Sequence, residues 1–197
     1  MSAVDQIKNK RLIKITAVCG ILIPIIILTS IFIAISVAPW FKWTNNALSD
    51  LGVEGLSAFF FNNGLIIGGF FVFIFSLCLI NLLKNKIGAY LLLGSSISLV
   101  GIGIFPETIF IMHYLTSAAF FILLTIAMLI IGITMYCSSS YRALGTIALF
   151  FSIIAFVSPL ALSHLNGIAI PEAIACFPSF IWCMFFGIKI NADAQLN

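Results

Sequence analysis

The fold is organised around one short polar stretch, Asn46-Ala47-Leu48-Ser49-Asp50-Leu51-Gly52-Val53-Glu54. It lies between two long apolar runs and puts two carboxylates close together, in a chain that is 62% hydrophobic and 8% charged. Charged residues make up about a quarter of an ordinary soluble domain, and a water-soluble core of this size could not use so much apolar surface. We therefore predict that lipid surrounds most of the chain.

Six apolar runs predict six membrane-spanning helices. Backbone polar groups inside a bilayer must be satisfied within their own element, and the runs lack the alternation of barrel strands. This pattern favours an all-α bundle of six transmembrane helices that forms one domain over residues 1–197. The predicted helices cover residues 12–38, 56–83, 87–104, 112–137, 143–162 and 170–190. We expect the tail from Asn191 onward to be disordered.

The positive charges are concentrated on one predicted face of the membrane. Eight of the nine lysines and arginines map to that face, and only Lys42 maps to the other. Because cytoplasmic loops carry the excess of Lys and Arg, we predict a multi-pass protein of the cell membrane with both termini in the cytoplasm. The opposite, extracytoplasmic face then holds most of the remaining ionisable residues: Asp50, Glu54, Glu107, Glu172, His113 and His164.

Small residues give a prediction about packing. Gly64 and Gly68 are one helical turn apart, a spacing that allows another helix to approach closely, within the bundle or in a homo-oligomer. The five cysteines lie in or at the ends of the apolar runs and show no CxxC spacing. We interpret them as small apolar packing residues and not as zinc ligands or redox groups.

The outward-facing polar residues allow two kinds of chemistry. A metal site would use His113, His164 and Asp50, a ligand set suited to zinc, although its members come from separate turns. Metal-free nucleophilic or acid-base catalysis would instead place Ser49 or Ser163 near a histidine and a carboxylate, with Ser49, Asp50 and His113 as the candidate set. In the plainest alternative, both histidines are interfacial residues bonded to carbonyls or water, and the carboxylates are solvated or favoured by helix dipoles.

A third interpretation is recognition without chemistry. An amide that faces lipid is costly, so at least one of Asn62 and Asn63 should face the bundle or a wet cavity. We therefore predict a pocket that holds the headgroup of a lipid or similar amphiphile and is lined by Asp50, Asn62, Glu107 and His113, with His164 and Glu172 as further members. Transport is less favoured because no ionisable residue falls near the predicted midplane.

Several motifs together resemble the prokaryotic six-helix membrane family catalogued as domain of unknown function 998. They are Leu48-Ser49-Asp50-Leu51-Gly52, Phe61-Asn62 with Gly64 and Gly68, then Phe105-Pro106, and His113 before Phe120. The resemblance covers nearly the whole chain, implies the six-helix architecture and directs attention to Ser49, Asp50, Asn62, Pro106 and His113. It brings no catalytic residues with it. That family is distantly similar to eukaryotic six-helix proteins, including GPI-anchor remodelling factors and autophagy modulators, which implies lipid handling only by analogy.

These observations predict an integral membrane protein whose extracytoplasmic polar pocket binds a membrane lipid. In the enzymatic version, the pocket also catalyses hydrolysis or headgroup exchange. The first alternative is a non-catalytic lipid-binding or scaffold protein, and the second is a small-molecule transporter. No feature of the sequence indicates a nucleic-acid partner.

Overall fold

The chain forms six α-helices and no strand within the part that the structure describes. This structure, a computed structural model, describes residues 3–196, with side chains for residues 10–195. The helices are α1 (Ala3–Ser36), α2 (Gly55–Leu82), α3 (Ile87–Ile104), α4 (Phe110–Tyr136), α5 (Arg142–Ala161) and α6 (Ala169–Leu196), with a short 3-10 helix at Ser49–Gly52. All six α-helices are long and apolar enough to cross a membrane. The predicted all-α, six-helix membrane architecture is confirmed.

The first and last helices are longer than predicted. α1 begins at Ala3 and not at residue 12, because a polar segment outside the bilayer can continue the helix that the apolar run marks. α6 continues through Leu196, so the predicted disorder from Asn191 was wrong over the described residues; Asn197 lies outside them. Lys189 and Asp193 form an i,i+4 ion pair in this extension, which supports helix formation there.

The helices pack in chain order into a closed ring. Each helix packs on the next one along the chain, and α1 also packs on α6. Large side chains from all but one of the six helices fill the interior, among them Ile23, Phe75, Leu92, Met128 and Trp182. Many other large apolar side chains are exposed on the outer surface, as expected of a bundle whose surroundings are lipid.

Glycines allow the closest helix contacts. A Cβ atom at Gly64 would overlap Ser30, and one at Gly68 would overlap Ile27, so the predicted close approach occurs between α1 and α2. On the other side of α1, a Cβ atom at Gly20 would overlap the carbonyl oxygen of Cys183. Small residues on two sides of α1 therefore let it join α2 and α6 and complete the ring.

The ring has two chemically different ends. The acidic end carries the connections 37–54, 105–109 and 162–168. The basic end carries the connections 83–86 and 137–141, and it also includes the first turns of α1 and the last turns of α6, because Lys10 and Asp193 line one cavity there. All five cysteines are free; four are buried, as expected of packing residues, and Cys137 is exposed at the basic end.

Candidate functional site

The connection between α1 and α2 closes the acidic end of the ring. Leu48 and Leu51 are buried in the main apolar core, beneath the turn that carries them. The backbone before them pairs with the connection between α5 and α6: Gly167 N–H donates to the Thr44 carbonyl at 2.8 Å, and Ala169 N–H donates to the Asn46 carbonyl at 2.9 Å. We call residues 44–53 the plug, because this segment fills the end of the bundle.

Asp50 stabilises the plug from within. Its Oδ2 accepts hydrogen bonds from the Asn46 side-chain amide at 2.7 Å and from the Ala47 N–H at 3.0 Å. The other side-chain atom of that amide, Asn46 Oδ1, accepts the Lys42 N–H at 2.9 Å. This is the pattern by which Asp and Asn satisfy the free backbone donors of a tight turn. Asp50 therefore has a structural role that its place in the sequence motif did not reveal.

Two carboxylates from other parts of the chain hold the plug in place. Glu172, in the first turn of α6, accepts the Leu48 N–H on Oε2 at 2.7 Å. Glu107, between α3 and α4, accepts the Ser49 hydroxyl on Oε1 at 2.6 Å. A buried donor left without a partner costs about 1–3 kcal/mol. The two acceptors thus allow consecutive polar groups of the plug to enter the bundle.

His113 lies beside Glu107 in the first turn of α4. Its Nδ1 is 2.8 Å from the Phe105 carbonyl oxygen, which can only accept, so Nδ1 carries the proton. The other ring nitrogen, Nε2, lies 3.3 Å from Ser117 Oγ and 3.8 Å from Glu107 Oε1. Ser49, Glu107 and His113 therefore form one continuous chain of polar contacts at the acidic end.

The remaining predicted residues lie apart from this chain of contacts. Asn62 donates its amide N–H to the Gly52 carbonyl at 2.9 Å and so ties the plug to α2, while its Oδ1 is buried without a hydrogen-bond partner among the described residues. His164 is exposed and forms no hydrogen bond or ion pair within residues 10–195. No group of three or more His, Cys, Asp or Glu side chains in that range is arranged to hold a metal ion. The zinc site of His113, His164 and Asp50 stays a prediction.

A small cavity of about 40 Å³ lies under the plug. Ser49, Ser117 and Glu172 contribute polar atoms to it, and most of its wall is apolar. A buried water needs about 10–15 Å³ of such volume and two to four polar partners. The cavity therefore has room for a few water molecules and not for a lipid headgroup.

A much larger cavity, of about 1050 Å³, opens at the basic end. Its walls come from α1, α2, α4 and α6 and include the apolar side chains Ile13, Leu82, Ile133, Phe186 and Ile190. The two connections at this end are short, so neither can fold over the ring as the plug does at the acidic end. We call this space the basic-end cavity.

The charged groups of the basic-end cavity differ in whether they have partners. Asp193 contacts Lys189, with Nζ and Oδ1 2.5 Å apart, and also accepts a hydrogen bond from Tyr141. Burial and the nearby Asp193 carboxylate raise the pKa of Tyr141 to about 12, so its hydroxyl stays a donor at neutral pH. Lys10 and Lys84 form no salt bridge with a described side chain. Two ammonium groups in the cavity wall therefore lack an ion-pair partner among the described side chains.

Sequence reasoning missed this second site. Lysines at helix ends are the usual pattern of a cytoplasmic face. Lys10 and Lys84 were therefore used only to predict the orientation of the protein in the membrane. The lengths of the connections were the available signal in the sequence. The connection 37–54 is long enough to fold over one end of the bundle, whereas the connections 83–86 and 137–141 are too short to cover the other end.

The comparisons with known proteins identify a family. Residues 21–189, which run from α1 to α6, match the family described as "Protein of unknown function (DUF998)". No curated protein matches the chain, and no solved structure matches it. Because the match covers most of the chain and includes the Ser49-Asp50 motif that first indicated it, this protein belongs to the DUF998 family.

Proposed function

We propose that this membrane protein binds an amphiphile in the basic-end cavity. The observation that supports the proposal most strongly is the combination of size and wall chemistry. The cavity has a volume of about 1050 Å³, comparable to that of the larger pockets that bind small molecules. Apolar side chains such as Ile13 and Leu82 can contact an alkyl chain, and Lys10 and Lys84 can contact a polar headgroup.

The contrast with the acidic end supports this location. The cavity beneath the plug is about 40 Å³, and the carboxylates around it already accept hydrogen bonds from Leu48 and Ser49. A ligand there would have to displace the plug and leave those donors unsatisfied. An amphiphile at the basic end displaces only solvent or lipid.

Filling the cavity tests the proposal. Thr134 lies in the cavity wall on α4, whereas Leu129 lies on the exposed surface of the same helix and outside the cavity. We expect native mass spectrometry of protein purified from its membrane to detect a bound lipid in the wild type and in Leu129→Trp, and to detect a loss of it in Thr134→Trp. Equal lipid retention by the two tryptophan variants, with equal melting temperatures, would count against binding in this cavity.

A second candidate function is catalysis at the acidic end, where the sequence predicted a pocket for a lipid headgroup. It is favoured by the chain of contacts through Ser49, Glu107 and His113. In a Ser-His-Asp triad the histidine lies between serine and acid, whereas here Glu107 lies between serine and histidine. The base that takes the serine proton would therefore be Glu107, with His113 beside it to stabilise the carboxylate or exchange the proton.

Lipid analysis separates the two candidates. Under the catalytic version, membranes that contain Glu107→Gln or the Asp50→Ala, His113→Ala double variant should accumulate an unprocessed lipid. Unchanged lipid composition in both variants, together with no bound metal in the purified wild type, would exclude hydrolysis or headgroup exchange at this end. Binding at the basic end is expected to survive all of these substitutions.

We also propose that the basic end faces the cytoplasm of the cell membrane, because most lysines and arginines lie there. Cys137 is the one exposed cysteine of the chain and lies at that end. A membrane-impermeant maleimide should label it in permeabilised cells and not in intact cells. Labelling in intact cells would reverse the orientation.

A further inference from the structure

We infer that the ligand of the basic-end cavity is an amphiphile with a phosphate headgroup, held by Lys10 and Lys84. This inference rests on the proposed function and adds the chemical class of the ligand. Its starting point is the charge balance of the cavity wall, whose described ionisable groups that carry charge at neutral pH are Lys10, Lys84 and Asp193. Asp193 contacts Lys189 and Tyr141, and neither Lys10 nor Lys84 forms a salt bridge with this or any other described carboxylate.

The number of donors in the cavity wall fits a phosphate. Lys10 comes from α1 and Lys84 from the connection after α2, so the two ammonium groups approach the cavity from different walls. A phosphate monoester carries a charge of about −1.5 to −2 at pH 7 and offers three acceptor oxygens, enough for both lysines and a further donor. Asn85 can supply that donor, because its Oδ1 accepts the Ile87 N–H and its amide N–H groups remain available.

The apolar wall next to each lysine indicates an amphiphile and not a free anion. Ile13 lies one turn deeper on α1 than Lys10, and Leu82 and Leu83 directly precede Lys84. Each ammonium group therefore lies where apolar wall gives way to solvent, which is how lysine is commonly placed at a membrane interface. A ligand that contacts both parts of the wall has its charged group outward and its alkyl chain inward.

Lys86 is a control that distinguishes a specific headgroup site from the general attraction of a basic surface for anions. It is exposed and lies two residues from Lys84 in the same connection, yet it does not line the cavity. A basic membrane face attracts anionic lipids through all of its charges, so Lys84→Gln and Lys86→Gln should then weaken binding equally. If the cavity contains a specific headgroup site, binding should depend on Lys84 and not on Lys86.

Cys137 provides the readout, because it is exposed in the cavity wall and the other four cysteines are buried. Protein in nanodiscs is labelled with an uncharged maleimide in the presence of increasing dodecyl phosphate, dodecyl maltoside or inorganic phosphate. The concentration that halves the labelling rate is compared among ligands for each variant, which cancels any effect of a substitution on the intrinsic reactivity of the thiol.

We expect dodecyl phosphate to protect Cys137 at a concentration about tenfold lower than dodecyl maltoside does, as charge-assisted hydrogen bonds to a partly exposed headgroup would give. Lys10→Gln with Lys84→Gln should abolish that preference, and Lys86→Gln should retain it. Equal protection by the two amphiphiles, or equal losses in Lys84→Gln and Lys86→Gln, would overturn the phosphate headgroup and leave amphiphile binding intact. Protection by inorganic phosphate as strong as that by dodecyl phosphate would assign the site to a free anion, and no protection by either amphiphile would overturn the proposed function itself.

Discussion

The two ends of this bundle use polar residues in opposite ways. At the acidic end, Glu107 and Glu172 each accept a hydrogen bond from the plug, and Asp50 accepts two within it. At the basic end, Lys10 and Lys84 line a large cavity and form no salt bridge with a described side chain. The acidic groups hold the fold together, whereas the basic groups remain available to a ligand.

This difference follows from the length of the connections. The long connection 37–54 enters the end of the ring and brings buried backbone donors with it, which require acceptors. The short connections 83–86 and 137–141 leave the other end open, and neither brings a comparable buried segment into the ring. A cluster of polar residues in a membrane protein can therefore serve to satisfy the backbone of a buried loop. A few isolated lysines can instead belong to a candidate binding site.

The largest expected effect comes from Gly167, where a Cβ atom would meet the backbone of Asn45 and Asn46. Gly167→Ala should lower the free energy of unfolding by about 3 kcal/mol, because backbone on both sides must shift and the plug loses its contact with residues 167–169. Gly94→Ala is the control, since its Cβ would meet only the flexible end of Leu123 at 3.2 Å. Similar melting temperatures for both variants would show that plug docking does not limit stability.

Removing the acceptor of the Leu48 N–H is expected to have the next largest effect. Glu172→Ala should destabilise the protein by about 2 kcal/mol, because that buried donor is then unsatisfied. Glu172→Gln keeps an acceptor oxygen and should cost less. Glu54→Ala, at an exposed carboxylate of the same end, should change stability by less than about 0.5 kcal/mol. The prediction fails if thermal unfolding gives equal losses for Glu172→Ala and Glu54→Ala.

The contact between Ser49 and Glu107 should contribute about 1 kcal/mol. A double-mutant cycle with Ser49→Ala and Glu107→Ala measures it as the difference between the double variant and the sum of the single variants. We expect the two losses to be non-additive because each substitution removes the same hydrogen bond. Additive losses would mean that the two side chains act independently.

At the basic end, the pH dependence of stability should depend on Tyr141. Its pKa is about 12 in the folded protein and about 10 in an unfolded chain, so the folded state keeps the phenolic proton over this interval. Stability contributed by this group is therefore present below pH 10 and is lost as the pH rises from about 10 to 12. Tyr141→Phe should reduce the decline in melting temperature over that interval; identical pH profiles would refute the raised pKa of Tyr141.

The smallest effect on stability is expected from the two lysines of the basic-end cavity. Lys10→Gln and Lys84→Gln should each change the free energy of unfolding by less than about 0.5 kcal/mol, because neither side chain has a described ion-pair partner. Thermal unfolding without added amphiphile tests this point. A loss as large as that of Glu172→Ala would remove the contrast between the two ends.

The sequence alone determined the architecture. Six apolar runs can satisfy their backbone groups in a bilayer only as helices, so the fold class and the bounds of the four central helices could be predicted closely. The sequence also identified Gly64 and Gly68 as a close-packing pair, since the absence of a side chain is a local property. It underestimated α1 and α6, because hydropathy marks the apolar part of a helix and not its polar extension.

The tertiary structure alone decided what the polar residues do. Leu48 and Glu172 are 124 positions apart, and no local pattern indicates that a backbone N–H between α1 and α2 needs a carboxylate from the first turn of α6. The partner of Ser49 and the open space beside Lys10 and Lys84 likewise depend on how the connections fold over the ends of the ring. Hydropathy is a property of each segment, whereas a cavity and a satisfied donor are properties of segments brought together.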